Sequence, residues 1–169
     1  QAQRVGRYHY YQIANPLVAQ ALEALSLLTE PPLKKAPPRH QHLSSDICYA
    51  RSCYDHLAGT LGVKLINALL NKRYLLWHKE HYTLTAAGER FFATLGINCA
   101  QLQAQPRQFT RCCIDWTERE YHLAGSLGQA LLDYFLAQRL LLRSRQQARV
   151  LRLTHSGKLW FKAQLGLIV

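Results

Sequence analysis

Hydrophobic residues recur at helical spacing in several segments of the chain, and two of these segments begin with nearly the same phrase. Residues 56–62 (HLAGTLG) are echoed by residues 122–128 (HLAGSLG). A second phrase follows in the same order, with a threonine and a glycine three apart at 85–88 (TAAG) and 154–157 (THSG). Two phrases repeated in the same order predict a duplicated small domain.

Each copy predicts the same order of elements, which is helix, helix, hairpin, helix. In the first copy Ile47, Ala50, Tyr54 and Leu57 share one face of an expected helix, and Gly59 is placed to end it. The elements that follow in the first copy are a helix at 61–70, strands at 74–77 and 82–84, and a helix at 85–95. Their counterparts in the second copy lie at 123–135, 140–142 with 150–153, and 154–165.

Helix, helix, hairpin, helix is the layout of a winged helix. The sequence therefore predicts a mainly α protein with small β-hairpins (α+β), built from two tandem degenerate winged-helix repeats. A threonine is expected to cap the last helix of each copy, Thr85 in the first and Thr154 in the second.

The part of the chain before the repeats predicts a strand, a helix and a linker. Residues 4–14 are aromatic and alternate imperfectly, as in a short strand. Apolar positions from Leu17 to Leu28 then have helical spacing, and this stripe could pack on a second copy of the chain or on the rest of the same chain. Prolines favour an extended spacer over 30–45. The predicted divisions are 1–29, 30–45, repeat 1 over 46–98, a connector over 99–110, and repeat 2 over 111–169.

The charge balance suggests a polyanionic partner. The chain has 21 basic and 10 acidic residues, a net charge of +11. Double-stranded DNA is the expected partner, the alternative being a basic protein without one. The arginines near the second hairpin tip could contact DNA or simply form an exposed loop, and those singled out are Arg143, Arg145 and Arg149.

Other classes of protein fit the sequence less well. No apolar run is long enough for a membrane span, and five cysteines without a disulfide spacing indicate thiols in a reducing cytoplasm. Neither a glycine-rich phosphate loop nor a nucleophile elbow is present, so an enzyme, such as a Cys/His hydrolase, is the weakest alternative. The chain contains no methionine, and we expect it to begin downstream of the natural start.

Two segments carry a family resemblance. Residues 6–16 (GRYHYYQIANP), followed by an apolar helix, resemble the end of an ArsR-type winged-helix repressor, where a wing strand precedes the C-terminal dimerisation helix. Residues 53–59 and 113–119 resemble the C-terminal extension of longer ArsR-type regulators. The resemblance implies a homodimeric, DNA-binding transcriptional regulator that responds to an effector. It also implies that the recognition helix would precede Gln1, and that Arg4 and Arg7 contact phosphate or the minor groove.

Cysteine and histidine residues of both copies are candidates for an effector or metal site. Cys53 and His56 are three apart on a predicted helix and would share a face, with Asp55 pointing elsewhere. If the repeats pack about a pseudo-twofold axis, these residues and their counterparts converge on one cleft, suited to zinc, copper or arsenite. The alternative is that the cysteines fill the core and the histidines brace a helix start. The counterparts in the second copy are Cys113, Asp115 and His122.

Two further features could bind an effector. The vicinal pair Cys112 and Cys113 could bind arsenite or react with oxidants, although one cysteine of such a pair is often simply buried. Trp116, with Glu118 and Arg119, could line a small-molecule pocket or fill the core. The sequence leaves a metal ion and a small-molecule effector both open. It also leaves two rival functions, a thiol- or metal-responsive sensor using Cys53, His56 and Cys113, and a DNA-binding module without an effector.

Overall fold

The computed structural model describes residues 2–5, 8–11, 18, 21–22, 25, 45–78 and 81–169. The chain divides into two compact units, residues 1–30 and residues 31–169. In the first unit, β1 (Ala2–Val5) pairs antiparallel with β2 (Tyr8–Tyr11). The single strand expected over 4–14 is therefore wrong, because this part of the chain forms two strands that pair with each other.

Only isolated positions of the expected dimerisation helix are described. Val18, Ala21, Leu22 and Leu25 are helical, and all four are exposed. The other positions of this helix, and the linker predicted over 30–45 apart from Ser45, lie outside the described residues.

The second unit contains both repeats and is an α+β structure with small antiparallel hairpins. The first repeat consists of α1 (Ser45–Tyr49), β3 (Arg51–Cys53), β4 (His56–Ala58), α2 (Thr60–Asn71), β5 (Leu75–His78), β6 (His81–Leu84) and α3 (Ala86–Thr94). The second repeat consists of α4 (Cys99–Gln103), β7 (Arg111–Ile114), β8 (Tyr121–Ala124), α5 (Gly125–Ala137), β9 (Leu141–Arg143), β10 (Leu151–Leu153) and α6 (His155–Leu165).

The helix expected from residue 46 to Leu57 is wrong. Helix α1 ends at Tyr49, and the chain then forms the β3–β4 hairpin, in which Arg51 pairs with Ala58. Gly59 does not end a helix but precedes α2 with φ 81°, a left-handed conformation that favours glycine. The hairpin is buried on both faces, so its hydrophobic residues do not alternate as they do in a half-exposed strand.

Two smaller boundaries also differ from the sequence-based expectation. Leu123 belongs to strand β8 rather than to the following helix, which begins at Gly125. The connector expected over 99–110 contains the short helix α4, and the side chain of Asn98 caps it by accepting a hydrogen bond from the Gln101 amide at 3.0 Å.

The two repeats pack reciprocally and share one core. Strand β4 of the first repeat packs on α5 of the second, while β8 of the second packs on α2 of the first. The buried hydrophobic residues form one cluster to which both repeats contribute, including Leu61, Leu69, Leu127 and Phe135. Because each repeat covers the hairpin of the other, the interface between them is part of the core.

The two predicted threonine caps are confirmed. The hydroxyl oxygens of Thr85 and Thr154 accept hydrogen bonds from the amides of Gly88 and Gly157, each at 2.9 Å. These bonds satisfy amides at the starts of α3 and α6 that have no partner within the helix. None of the helices within the described residues is long and apolar enough to cross a membrane.

Candidate functional site

Four side chains meet where the first hairpins of the two repeats approach each other. They are Cys53, His56, Cys113 and His122, and their potential ligand atoms all lie within 4.8 Å of one another. The two Sγ atoms are 4.0 Å apart, and the two Nε2 atoms are 3.2 Å apart. The structure thus brings together two residues from each repeat, as expected for packing about a pseudo-twofold axis.

Each cysteine is held beside its histidine by strand pairing rather than by a helix. Cys53 pairs with His56 across the β3–β4 hairpin, and Cys113 pairs with His122 across β7–β8. Directly opposite residues of an antiparallel pair project to the same side of the sheet, with Cβ atoms about 5 Å apart. Each hairpin therefore presents one sulfur and one imidazole to the same point.

Glycines in the repeated phrase allow the histidines to approach the opposite repeat. A Cβ atom added at Gly128 would lie 3.3 Å from the Cβ of His56, and one added at Gly62 would lie 3.7 Å from the Cβ of His122. The atom added at Gly128 would lie 2.6 Å from the Leu123 carbonyl oxygen, and the atom added at Gly62 would lie 2.6 Å from the Leu57 carbonyl oxygen. The histidine of each repeated phrase therefore lies over the glycine in the helix of the other repeat, where the two repeats cross.

A carboxylate lies near the outer nitrogen of each imidazole. Nδ1 of His56 is 3.3 Å from Oδ1 of Asp55, and Nδ1 of His122 is 3.8 Å from Oδ2 of Asp115. Arg107 holds Asp55 through both of its terminal nitrogens, one of them 3.0 Å from Oδ1. The position expected for Asp55, away from the site, is wrong, because the tight hairpin turn keeps this side chain next to the ring that follows it.

Asp115 is fixed by several donors at once. Nη2 of Arg51 donates to Oδ2 at 2.7 Å, and the Gly59 amide donates to the same oxygen at 2.6 Å. The amide and hydroxyl of Thr117 donate to Oδ1 at 2.9 and 2.6 Å. Asp115 and Arg51 are both fully buried, so their ion pair joins the second repeat to the first inside the core.

The environment favours a neutral imidazole and an ionised thiol. Burial lowers the pKa of His122, so its ring is neutral near pH 7. Hydrogen bonding with Cys113, assisted by both histidines, lowers the pKa of Cys53 despite burial. Burial raises the pKa of Asp55, but hydrogen bonds from His56 and Arg107 outweigh it and bring the value to about 2. Thiolate and neutral imidazole are the forms that bind metal ions.

Comparison with known proteins supplies the functional class. The HTH-type transcriptional regulator YdfF of Bacillus subtilis (strain 168) is 38% identical to this chain over 161 residues, which cover 95% of the chain and 70% of YdfF. The chain belongs to this family of HTH-type transcriptional regulators. No family model and no solved structure matches it. Membership supports the predicted DNA-binding regulation of transcription, which is not an enzymatic role.

Trp116, for which the sequence left a pocket and a place in the core both open, is 39% exposed. The Trp116 ring lies against the Arg51 guanidinium, whose carbon is 4.4 Å from the ring centroid. Arg119 lines a cavity of about 310 Å³, together with Trp77 and Tyr121, and Trp116 is not part of that lining.

The vicinal cysteines lie on opposite faces of strand β7. Successive strand residues point to opposite sides, so Cys113 faces the four-residue cluster while Cys112 belongs to the hydrophobic core. A single ion cannot readily use both sulfur atoms in this arrangement.

The basic residues predicted to contact DNA occupy different environments. Arg143 and Arg145 are exposed at the end of β9 and in the connection to β10. Nε of Arg149 donates to the Ser52 carbonyl oxygen at 3.2 Å, so this side chain is held against β3. Arg4 lies in strand β1, and Arg7 lies outside the described residues.

Sequence reasoning missed the two arginines that hold the carboxylates. Arg51 and Arg107 pair with Asp115 and Asp55 across long sequence separations. Neither arginine belongs to a recognisable motif. The only available signal was the recurrence of aspartate two residues after Cys53 and again after Cys113.

Proposed function

We propose that this chain is the dimerisation and effector-sensing part of an ArsR-type transcriptional regulator that binds double-stranded DNA in the cytoplasm. Its relation to YdfF supports the regulatory class. The observation that carries the sensing role is the cluster of Cys53, His56, Cys113 and His122 between the repeats. An effector bound there would touch both repeats and would favour the arrangement of repeats that it fits best.

The proposed dimer would use the helix of the first unit. Val18, Leu22 and Leu25 are 41%, 52% and 59% exposed. Three large apolar side chains at helical spacing suit burial against the same helix of a second copy, and symmetric dimers are the commonest oligomers. Such a dimer would present two copies of any DNA-contacting surface.

The proposed DNA contacts lie on the β9–β10 hairpin, which we take as the wing of the second repeat. We treat each repeat as a degenerate winged helix in which a hairpin replaces the first helix. Arg143 and Arg145 are exposed at the wing and can reach phosphate oxygens. Arg4 and Arg7 remain candidates from the family resemblance.

The salt dependence of DNA binding tests this function. We would measure the affinity of the protein, as produced from its own gene, for a duplex from upstream of that gene at several salt concentrations. Each phosphate neutralised contributes a slope of about −0.9 in log affinity against log salt. We expect Arg143→Gln with Arg145→Gln to make the slope shallower by about 2. The control is Arg90→Gln on α3, which is also exposed and removes one charge away from the wing.

Two results would contradict the assignment. Absence of salt-dependent binding to any duplex would refute DNA binding. An equal loss of slope per charge removed in the Arg90→Gln control would show that the effect comes from overall charge rather than from the wing.

A further inference from the structure

We propose that Cys53, His56, Cys113 and His122 bind one Zn²⁺ ion in tetrahedral geometry, and that this ion is the effector or cofactor that joins the two repeats. The regulatory meaning of the site rests on the proposed function, whereas zinc binding itself can be tested without DNA. Two sulfur and two imidazole ligands form a donor set typical of tetrahedral zinc.

The observed distances fit a zinc tetrahedron closely on two edges. Zn–S bonds of about 2.3 Å and Zn–N bonds of about 2.0 Å place two sulfurs roughly 3.8 Å apart and two nitrogens roughly 3.3 Å apart. The corresponding separations here are 4.0 Å and 3.2 Å. Sulfur–nitrogen edges would be roughly 3.5 Å, and all the ligand atoms already lie within 4.8 Å. To close the site, the ligand atoms must move by about 1 Å, which side-chain rotations achieve without a change of fold.

The surroundings of the two imidazoles also indicate a cation between them. If both Nδ1 atoms carry their proton toward Asp55 and Asp115, both Nε2 lone pairs face each other at 3.2 Å. Two facing lone pairs repel unless a cation lies between them. A carboxylate behind each ligating histidine is the usual support of zinc sites, because it fixes the tautomer and the ring orientation.

His122 shows this most directly. Its ring is 1% exposed, and its Nδ1 atom has no hydrogen-bond partner within the part of the chain that the structure describes. The Asp115 oxygen at 3.8 Å is slightly too far for a hydrogen bond. A rotation of the His122 ring that brings Nε2 onto a shared metal ion can also bring Nδ1 within reach of Asp115.

The charge of the site selects a divalent ion. Zn²⁺ with two thiolates and two neutral imidazoles gives a neutral complex, whereas Cu⁺ would leave one negative charge in a largely buried site. Asp55 and Asp115 are already paired with Arg107 and Arg51 and do not add net charge. The absence of carboxylate ligands from the cluster disfavours Mg²⁺ and Ca²⁺, which prefer oxygen ligands.

The position of the site gives the ion a structural effect. Each repeat supplies two ligands, so binding is coupled to the packing of one repeat on the other. Four protein ligands complete a tetrahedral site, as in structural rather than catalytic zinc centres. Cys53 is the only ligand of the four that is partly exposed, and it marks the route by which zinc would enter.

Metal analysis and cobalt substitution test the proposal. We would purify the protein without chelator under reducing conditions and measure zinc by mass spectrometry, expecting one ion per chain. Replacement by Co²⁺ should produce the visible absorption of a tetrahedral, thiolate-ligated ion. Cys113→Ser and His122→Ala should abolish both signals, whereas Cys48→Ser, a partly exposed cysteine outside the cluster, should retain them.

A positioning variant separates ligation from folding. Asp55→Asn keeps all four ligands but removes the carboxylate behind His56, and we expect zinc affinity to fall about 10- to 100-fold. Circular dichroism of each variant reports whether the fold is retained. Because the cobalt spectrum is read on the unaltered protein, a variant that fails to fold does not decide the result.

Several outcomes would overturn the proposal. One is that the protein contains no metal and, with its thiols reduced, gives no tetrahedral cobalt spectrum. Another is a Cys53–Cys113 disulfide in protein isolated from a reducing cytoplasm. Zinc binding together with equal DNA affinity of the zinc-loaded and zinc-free protein would support the site and overturn its sensing role. Zinc binding without any DNA binding would refute the proposed function while leaving the zinc site standing.

Discussion

Arg51 and Asp115 are charged residues buried in the core, and their interaction links the two repeats. Both side chains are 0% exposed and form an ion pair at 2.7 Å. Burying two charges is costly, and the cost is offset only because amide and hydroxyl donors also satisfy Asp115. Removal of one partner would leave the other charge buried and uncompensated.

We therefore expect Asp115→Asn to destabilise the fold strongly. Loss of one member of a buried pair costs about 3–5 kcal/mol. The free energy of unfolding, measured in urea, should fall by this amount. The control is Asp133→Asn, where the aspartate is exposed on α5 and the change should stay within about 0.5 kcal/mol. Equal stability of the two variants would show that the pair contributes little.

Of the two cysteines outside the four-residue cluster and β7, Cys99 should react more slowly than Cys48. Burial, together with the negative charge of Glu89, raises its pKa to about 11. At pH 8 on the order of one thiol in a thousand is ionised, and the thiolate is the reactive form. Iodoacetamide should modify the partly exposed Cys48 in the native protein but modify Cys99 only in denaturant.

The raised pKa of Cys99 also sets a direction for stability at alkaline pH. The folded protein favours the neutral thiol, so this contribution to the free energy of unfolding is present below the ordinary pKa of 9 and is lost as the pH rises toward 11.

Peptide mass mapping after brief labelling with iodoacetamide measures how fast each thiol reacts. Modification of Cys99 as fast as Cys48 in native protein would contradict the observed burial.

The first hairpins are the elements that bring the two repeats together. Strand β4 lies on α5 and strand β8 on α2, with Gly62 and Gly128 at the crossings. A side chain at either glycine would meet a carbonyl oxygen of the preceding strand, that of Leu57 or that of Leu123. The close approach depends on the absence of a Cβ atom rather than on a special backbone angle.

Gly62→Ala tests this crossing, because two effects of opposite sign compete. Alanine improves helix propensity by about 1 kcal/mol, but its Cβ would lie 2.6 Å from the Leu57 carbonyl oxygen. Relieving such overpacking typically costs about 1–3 kcal/mol, so we expect a net loss of stability of about 1 kcal/mol.

The matched control for the crossing is Asn67→Ala, an exposed position on the same helix. It should gain helix propensity with no clash, and thermal unfolding should show unchanged or slightly higher stability. A Gly62→Ala variant as stable as the control would mean that the helices have room for a methyl group at the crossing.

The sequence predicted the later elements of each repeat but not the first hairpins. Helices α2 and α5 and the caps Thr85 and Thr154 carry clear periodic and local signals. Residues 51–58 carry none, because both faces are buried by the other repeat and the apolar spacing resembles a helix. Cys53 and His56 are nevertheless neighbours as predicted, because residues three apart are close together both on a helix and across a two-residue turn.

The whole site could be anticipated only through the duplication. Cys113 and His122 are separated by a longer loop and meet only because the β7–β8 hairpin brings the chain back. The repeated histidine phrase indicated that they would mirror Cys53 and His56. The supporting contacts of Arg51 and Arg107 depend on how the two repeats pack, which no local pattern contains.

At the scale of the whole molecule, the first unit should determine the oligomeric state. Leu22 and Leu25 are more than half exposed on a helix whose described positions also include Val18 and Ala21. A twofold interface uses each residue twice, once from each copy. Partial burial of two leucines from each chain is worth about 3 kcal/mol at roughly 0.8 kcal/mol for each side chain.

Leu22→Asp with Leu25→Asp should therefore weaken dimerisation at least about a hundredfold, because 1.4 kcal/mol corresponds to a factor of ten and aspartate adds a desolvation cost. Sedimentation equilibrium should show dimers for the unaltered protein and monomers for the variant at micromolar concentration. Leu159→Asp is the control, since this leucine is 56% exposed on α6 in the second unit and should leave the dimer intact. If Leu159→Asp rather than the double variant yields monomers, the second unit forms the interface instead.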